Sequence, residues 1–193
     1  MVAILAAIVL AADQFVKYLT ITNLPLQEPV PVLGEFLQLY YVRNPGAAFS
    51  LGSEVTWIFT IALTVVAGVI VWKAFGLRSR LWAVVLGVLL GGVLGNLGDR
   101  LFRDPGFPVG HVVDMISMPW MMPAIFNVAD VFIVTGMISV ALLVVFGLRF
   151  DGSRESDHVA VETDDEAEAA AIAEDEQHRL DSVDGDATTA EGR

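Results

Sequence analysis

Cysteine is absent from all 193 residues. That absence removes disulfides, thiol catalysis and thiolate metal sites. Charge is scarce across most of the chain, where residues 1–150 hold eight acids and eight bases. The formal net charge of −12 therefore comes from residues 151–193, with fifteen acids and three bases. It says nothing about partners of the body, and no nucleic-acid partner is expected. What remains is apolar. Hydrophobic residues make up 55% of the chain and the mean hydropathy is +0.63, beyond an ordinary soluble domain.

Four stretches are long and apolar enough to span a bilayer, at about 2–19, 55–75, 81–97 and 128–148. Leu10-Ala11-Ala12 resembles a signal-peptide cleavage site. No basic region precedes the first stretch and its apolar pattern runs past Asp13, so it reads as a retained span. It begins almost at Met1, which raises the expectation of a start codon upstream. Lys73, Arg78 and Arg80 crowd the turn between spans two and three, and Arg149 and Arg154 follow span four. Residues 20–54 hold one base, Arg43. Basic short loops stay inside, so both termini are expected in the cytoplasm and segments 20–54 and 98–127 outside.

Phe36 to Val42 is rich in β-formers and lies between Gly34 and Asn44-Pro45-Gly46, so a small sheet or hairpin is expected on the outer surface over residues 34–51. Gly87, Gly91 and Gly95 form a small-residue stripe that lets another helix approach span three. Thr60 and Thr64 read as backbone-bonded or interhelical and not as catalytic. The tail is too acidic and too poor in large apolar residues to fold alone, although Ala167 to Leu180 has the composition of a transient helix.

Ionisable groups at membrane depth are costly and point to function. Asp13 and Lys17 lie four apart on one helix face, acid before base, the favourable order. The lysine holds the aspartate ionised, so this pair reads as structural, as does Asp99. Span three closes with Gly95-Asn96-Leu97-Gly98-Asp99-Arg100. Asn96 and Arg100 are suited to hold a substrate backbone, Arg through five fixed donors. The alternative is a helix end with a snorkelling arginine. Asp114 is flanked by Val113 and Met115, and desolvation raises a carboxyl pKa. Asn127 can cap span four with Asp130 as the capping-box acid, a role that also fixes a carboxylate in place. Pro119 and Pro123 break the chain between Asp114 and Asp130, which lets it fold back and bring the two carboxyls together. Two aspartates that share one proton are an acid–base pair for peptide hydrolysis. His111 and Asp114 as metal ligands are a rival, weakened because no second histidine lies near. A transporter or scaffold built on the charged residues is another.

The blocks Asp13-Gln14-Phe15-Val16-Lys17, Asn44-Pro45-Gly46-Ala47-Ala48-Phe49-Ser50, Gly95 to Arg100, Val112-Val113-Asp114 and Phe126 to Asp130 resemble, in order, those of lipoprotein signal peptidases (signal peptidase II). The resemblance covers about residues 10–145 and excludes the tail. It implies an aspartic peptidase of the bacterial plasma membrane that cuts diacylglyceryl-modified prolipoproteins before the lipidated cysteine. Asp114 and Asp130 match the catalytic pair, and Asn44, Gly46, Asn96, Arg100 and Asn127 fall among blocks that line the substrate site. It also implies no metal or other cofactor, and inhibition by globomycin-type cyclic peptides. Two departures stand out. The family's short lead before span one is absent, and Met115 stands where an aromatic is common. The expected fold is an all-α integral membrane protein with four transmembrane helices, a small extracytoplasmic β-cradle and a disordered acidic tail. Residues 1–150 form the peptidase domain and 151–193 the cytoplasmic tail.

Overall fold

The computed structural model describes residues 1–46 and 55–153. The Ala47–Ser50 part of the second block and the tail from residue 154, with its transient-helix expectation, lie outside the described residues. The elements run α1 (Val2–Asn23), β1 (Pro29–Pro31), β2 (Gln38–Asn44), α2 (Thr56–Ala74), α3 (Arg80–Phe102), β3 (Val112–Met118), β4 (Met122–Phe126) and α4 (Val128–Val145). All four helices are long and apolar enough to cross a membrane. At ~1.5 Å per residue they measure roughly 27–35 Å, matched to a hydrocarbon core of about 30 Å.

α3 is the central helix. Of its apolar window 67% is buried, against 22%, 17% and 17% for α1, α2 and α4. It contacts all three others. The outer faces of α1, α2 and α4 expose Ile4, Phe15, Ile61, Trp72, Val134 and Met137, as a lipid-facing surface should. The glycine stripe explains how α1 comes so close. A Cβ on Gly91 would sit 2.5 Å from Val9 Cβ and 2.8 Å from the Ala6 carbonyl oxygen. A Cβ on Gly98 would meet nothing within 4 Å. Gly91→Leu is therefore expected to destabilise the bundle by about 1–3 kcal/mol or more, since backbone cannot give way as a side-chain tip can. Gly98→Ala should change little beyond its helix propensity. Thermal unfolding in detergent compares the two.

Helix ends depart from the hydropathy boundaries for local reasons. α3 runs to Phe102, well past Leu97, because Asn96, Asp99 and Arg100 are bonded inside the protein, and α1 runs to Asn23, where exposed Thr22 and Asn23 bond back to the Tyr18 and Leu19 carbonyls. α4 stops at Val145, short of Leu148. Gly147 adopts φ 65° and donates to the Val144 carbonyl, while Leu148 donates to that of Leu143. This is a glycine-terminated helix end in which the turn satisfies the last carbonyls.

The sheet is four-stranded and antiparallel in the order β1-β2-β3-β4. Only β2 comes from the segment expected to form it, and β1 lies just before that segment. β3 and β4 arise from residues 112–126, where proline suggested a returning loop. Pro119 lies in the β3–β4 turn, and Pro123 lies on β4, an edge strand, where a missing N–H is tolerated.

Candidate active site

Strand alternation aims the first carboxyl. Val113 and Met115 pack with Tyr41 in a buried cluster that reaches Val16 and Leu24, which fills the space beside Met115. Asp114, between them, faces the other way. Val42 pairs with Asp114 and Asn44 with Val112, which puts Asn44 diagonally beside Asp114. Asn44 Nδ2 donates to Asp114 Oδ2 at 2.8 Å. Asn127 Nδ2 donates to Asp114 Oδ1 at 2.6 Å.

Helix capping aims the second. Asn127 Oδ1 accepts the Asp130 N–H at 2.9 Å, and Asp130 Oδ2 accepts the Asn127 N–H at 3.1 Å. This is the reciprocal capping box expected for that pair of residues. Asn96 Nδ2 donates to Asp130 Oδ1 at 2.7 Å. Asn127 Nδ2 also donates to Asn96 Oδ1 at 3.1 Å. Two amides thus bridge the two carboxyls, and the folded chain brings Asp114 and Asp130 to one network. Asp114 is buried and its pKa is pushed up to about 7, first by desolvation and then by the Asp130 charge; hydrogen bonds from Asn44 and Asn127 and the Lys17 charge oppose the rise.

Asp13, Lys17 and Asp99 are all fully or almost fully buried. The sequence suggested a local pair that neutralises itself near the headgroups, yet Lys17 sits in the interior and reaches further. Its Nζ donates to Asp13 Oδ2 at 2.9 Å, Asp99 Oδ2 at 2.8 Å and Asn96 Oδ1 at 2.9 Å. Three ammonium donors meet three acceptors, which offsets the cost of burying a lysine. The third bond also orients the Asn96 amide, leaving its Nδ2 for Asp130. Sequence reasoning missed two members of this cluster. Gln14 donates to Asp99 Oδ1 at 3.1 Å and to the Gly95 carbonyl at 3.1 Å. Arg103 donates to Asp99 Oδ1 at 2.5 Å and to Gln14 Oε1 at 3.2 Å. The i,i+4 spacing of Asp99 and Arg103 was the available signal.

Arg100 is 3% exposed. Its guanidinium donates to the carbonyls of Pro45 at 2.9 Å, Gly110 at 3.2 Å, Asn44 at 3.4 Å and Gly46. It holds the chain that follows β2 beside the site. Thr56 Oγ1 donates to the same Pro45 carbonyl at 2.7 Å. Thr60 and Thr64 bond to the Pro108 and Thr60 carbonyls, the backbone-bonded one of the two roles read from the sequence. His111 lines a cavity of about 300 Å³ with Arg43, Arg103 and Asp104, and Asp114 is not among the lining residues. Burial, then Arg100 and Arg43, hold the His111 imidazole below its usual pKa. Among the described residues, no three His, Cys, Asp or Glu side chains gather as a metal-ligand set.

At one end of the four-helix bundle, buried Asp114 and half-buried Asp130 are thus linked through the amides of Asn127 and Asn96. Residues 5–146 match the family described as Signal peptidase (SPase) II. The chain belongs to the signal peptidase II family. The match takes in every residue of the site. A lipoprotein signal peptidase of Leifsonia xyli subsp. xyli is 50% identical over 158 residues, covering 82% of this chain and 73% of that relative. The lipoprotein signal peptidase of Rhodococcus jostii is 46% identical over 155 residues, 79% and 76% of the two chains. A bacterial membrane enzyme solved by the in meso method at 2.3 Å resolution covers 75% of this chain and 87% of its own, with 26% identity and a TM-score of 0.66. As a signal peptidase II, the chain is an aspartic peptidase of the bacterial membrane that cleaves signal peptides from prolipoproteins.

Proposed function

We propose that Asp114 and Asp130 share one proton and hydrolyse the peptide bond before the lipidated cysteine of diacylglyceryl-modified prolipoproteins. The observation that carries this reading is the Asn127–Asn96 bridge, which holds a buried carboxyl from a strand and a half-buried one from a helix in one hydrogen-bonded network. One aspartate, ionised, takes a proton from the attacking water. The other, protonated, donates to the carbonyl oxygen. Collapse of the tetrahedral adduct breaks the C–N bond as a proton passes to the leaving amine. The pair titrates as a unit, and the two roles exchange during the cycle. Asn44, Gly46, Asn96 and Asn127 line the substrate site, and Arg100 shapes it through the loop that it holds. Globomycin-type peptides would occupy the same place.

The acyl chains stay in the bilayer while the scissile bond enters from the side. The site and the sheet face the extracytoplasmic side, and both termini face the cytoplasm. The basic α2–α3 turn supports this orientation. Arg78 and Ser79 donate to the Phe150 carbonyl, so that turn and the chain after α4 share the end of the bundle opposite the site. Residues 1–150 form the peptidase unit and 151–193 an acidic cytoplasmic extension.

The test is cleavage of a diacylglyceryl-modified precursor by purified protein in detergent, followed by gel shift across pH, with and without chelator. Cleavage should be indifferent to chelator. A raised Asp114 pKa means that the shared proton is retained to higher pH, so the alkaline limb should fall near pH 7 and not near 4. Activity that stays flat to about pH 9 would refute the shared proton.

A further inference from the structure

The residue just before each aspartate of the pair gives its backbone N–H to a buried carboxylate on α1 or α3. Val113, before Asp114, donates to Asp99 Oδ2 at 3.0 Å. Ala129, before Asp130, donates to Asp13 Oδ1 at 2.9 Å. The two carboxylates are joined by one ammonium, because Lys17 Nζ lies 2.8 Å from Asp99 Oδ2 and 2.9 Å from Asp13 Oδ2. The oxygen of Asp99 that holds Val113 is the one that holds Lys17. Val113, Asp99, Lys17, Asp13 and Ala129 are each at most 2% exposed. Water does not compete for these bonds, and in a low dielectric they are strong and stiff. The Ala129 N–H is one of those that a helix start leaves without an intrahelical partner, and a carboxylate there is also favoured by the helix dipole.

We propose that Asp13, Lys17 and Asp99 are a positioning unit for cleavage: through the Val113 and Ala129 amides they set the separation of Asp114 and Asp130, with Lys17 as the joint. β3 and α4 already meet through β4 and the Asn127–Asp114 bond, and the ion cluster adds a link that does not use the reacting oxygens. The third Lys17 bond, to Asn96 Oδ1, trims the same geometry, because Asn96 Nδ2 faces Asp130. A purely structural ion cluster would stabilise the bundle without selecting the two amides next to the reacting groups. The proposal rests on the assignment of Asp114 and Asp130 as the reacting pair.

The experiment compares Lys17→Met, Asp99→Leu and Asp99→Asn with wild type, with Asp114→Asn as a control. The binding-competent fraction is counted with a diacylglyceryl-modified peptide whose scissile amide is reduced and cannot be cleaved. kcat is then expressed per competent molecule. Lys17→Met and Asp99→Leu should each lose ~100-fold in kcat, the scale of an ångström-sized misplacement. KM should stay within about threefold. Asp99→Asn keeps an acceptor oxygen for the Val113 N–H and should recover at least ~10-fold over Asp99→Leu. Where Lys17→Met yields no competent fraction, the Asp99 pair decides. The proposal is overturned by a competent Lys17→Met that turns over within about twofold of wild type, or by equal kcat for Asp99→Leu and Asp99→Asn. Cleavage by the Asp114→Asn control would instead refute the reacting pair itself.

Discussion

Asp114→Asn and Asp130→Asn should each reduce cleavage by on the order of 10³-fold or more, with the protein still folded and inserted. Asparagine has the shape of aspartate but cannot exchange a proton at working pH. At position 114 both carboxylate oxygens accept from amide NH2 groups, those of Asn44 and Asn127. An introduced amide keeps one of these bonds and loses the other, a local cost. At position 130 the lost acceptor weakens the capping box, worth about 1 kcal/mol. Neither change touches the α1–α3 contact that organises the bundle. Asp130→Asn also removes the second of the two influences that raise Asp114, so Asp114 would ionise more readily without a partner to share its proton. Gel-shift cleavage and thermal unfolding, run on the same detergent preparations, separate chemistry from stability. Turnover within about tenfold of wild type by either variant would remove that residue from the pair.

Asn127 is expected to divide into two functions under substitution. Its Oδ1 caps α4, and its Nδ2 bridges Asp114 to Asn96. Asn127→Ala loses both, so about 1–2 kcal/mol of stability and ~100-fold in kcat should go together. Asn127→Ser keeps a capping oxygen on a side chain too short to reach Asp114. It should unfold within about 0.5 kcal/mol of wild type and still lose ~100-fold in cleavage. Equal activity of the serine variant and wild type would show that the bridge does not contribute to turnover.

Much of the fold was legible because membrane spans are written in runs of side chains. Each apolar stretch became a helix, and the glycine stripe marked the face of α3 that α1 approaches. The Asn127–Asp130 capping box was legible for the same reason, since it depends on residues three apart. The end of α3 was not. Hydropathy falls where polar residues begin, but a helix continues wherever those residues find partners inside, as Asn96, Asp99 and Arg100 do. β3 and β4 were missed because prolines argue against a strand only until the strand proves to be an edge or the proline a turn.

The roles of the charged residues divide along the same line. The sequence by itself determined the apolar spans, the local Asp13–Lys17 and Asn127–Asp130 pairings, and the aspartates on either side of a returning segment. Only the tertiary structure decided that Lys17 is the joint between Asp13 and Asp99, that Gln14 and Arg103 belong to that cluster, and that Arg100 spends its donors on the chain after β2. Residues three or four apart on a helix meet by its geometry alone. Partners 70 to 116 positions apart, such as Asn44 with Asp114 or Asp13 with Ala129, meet only once helices and sheet have packed.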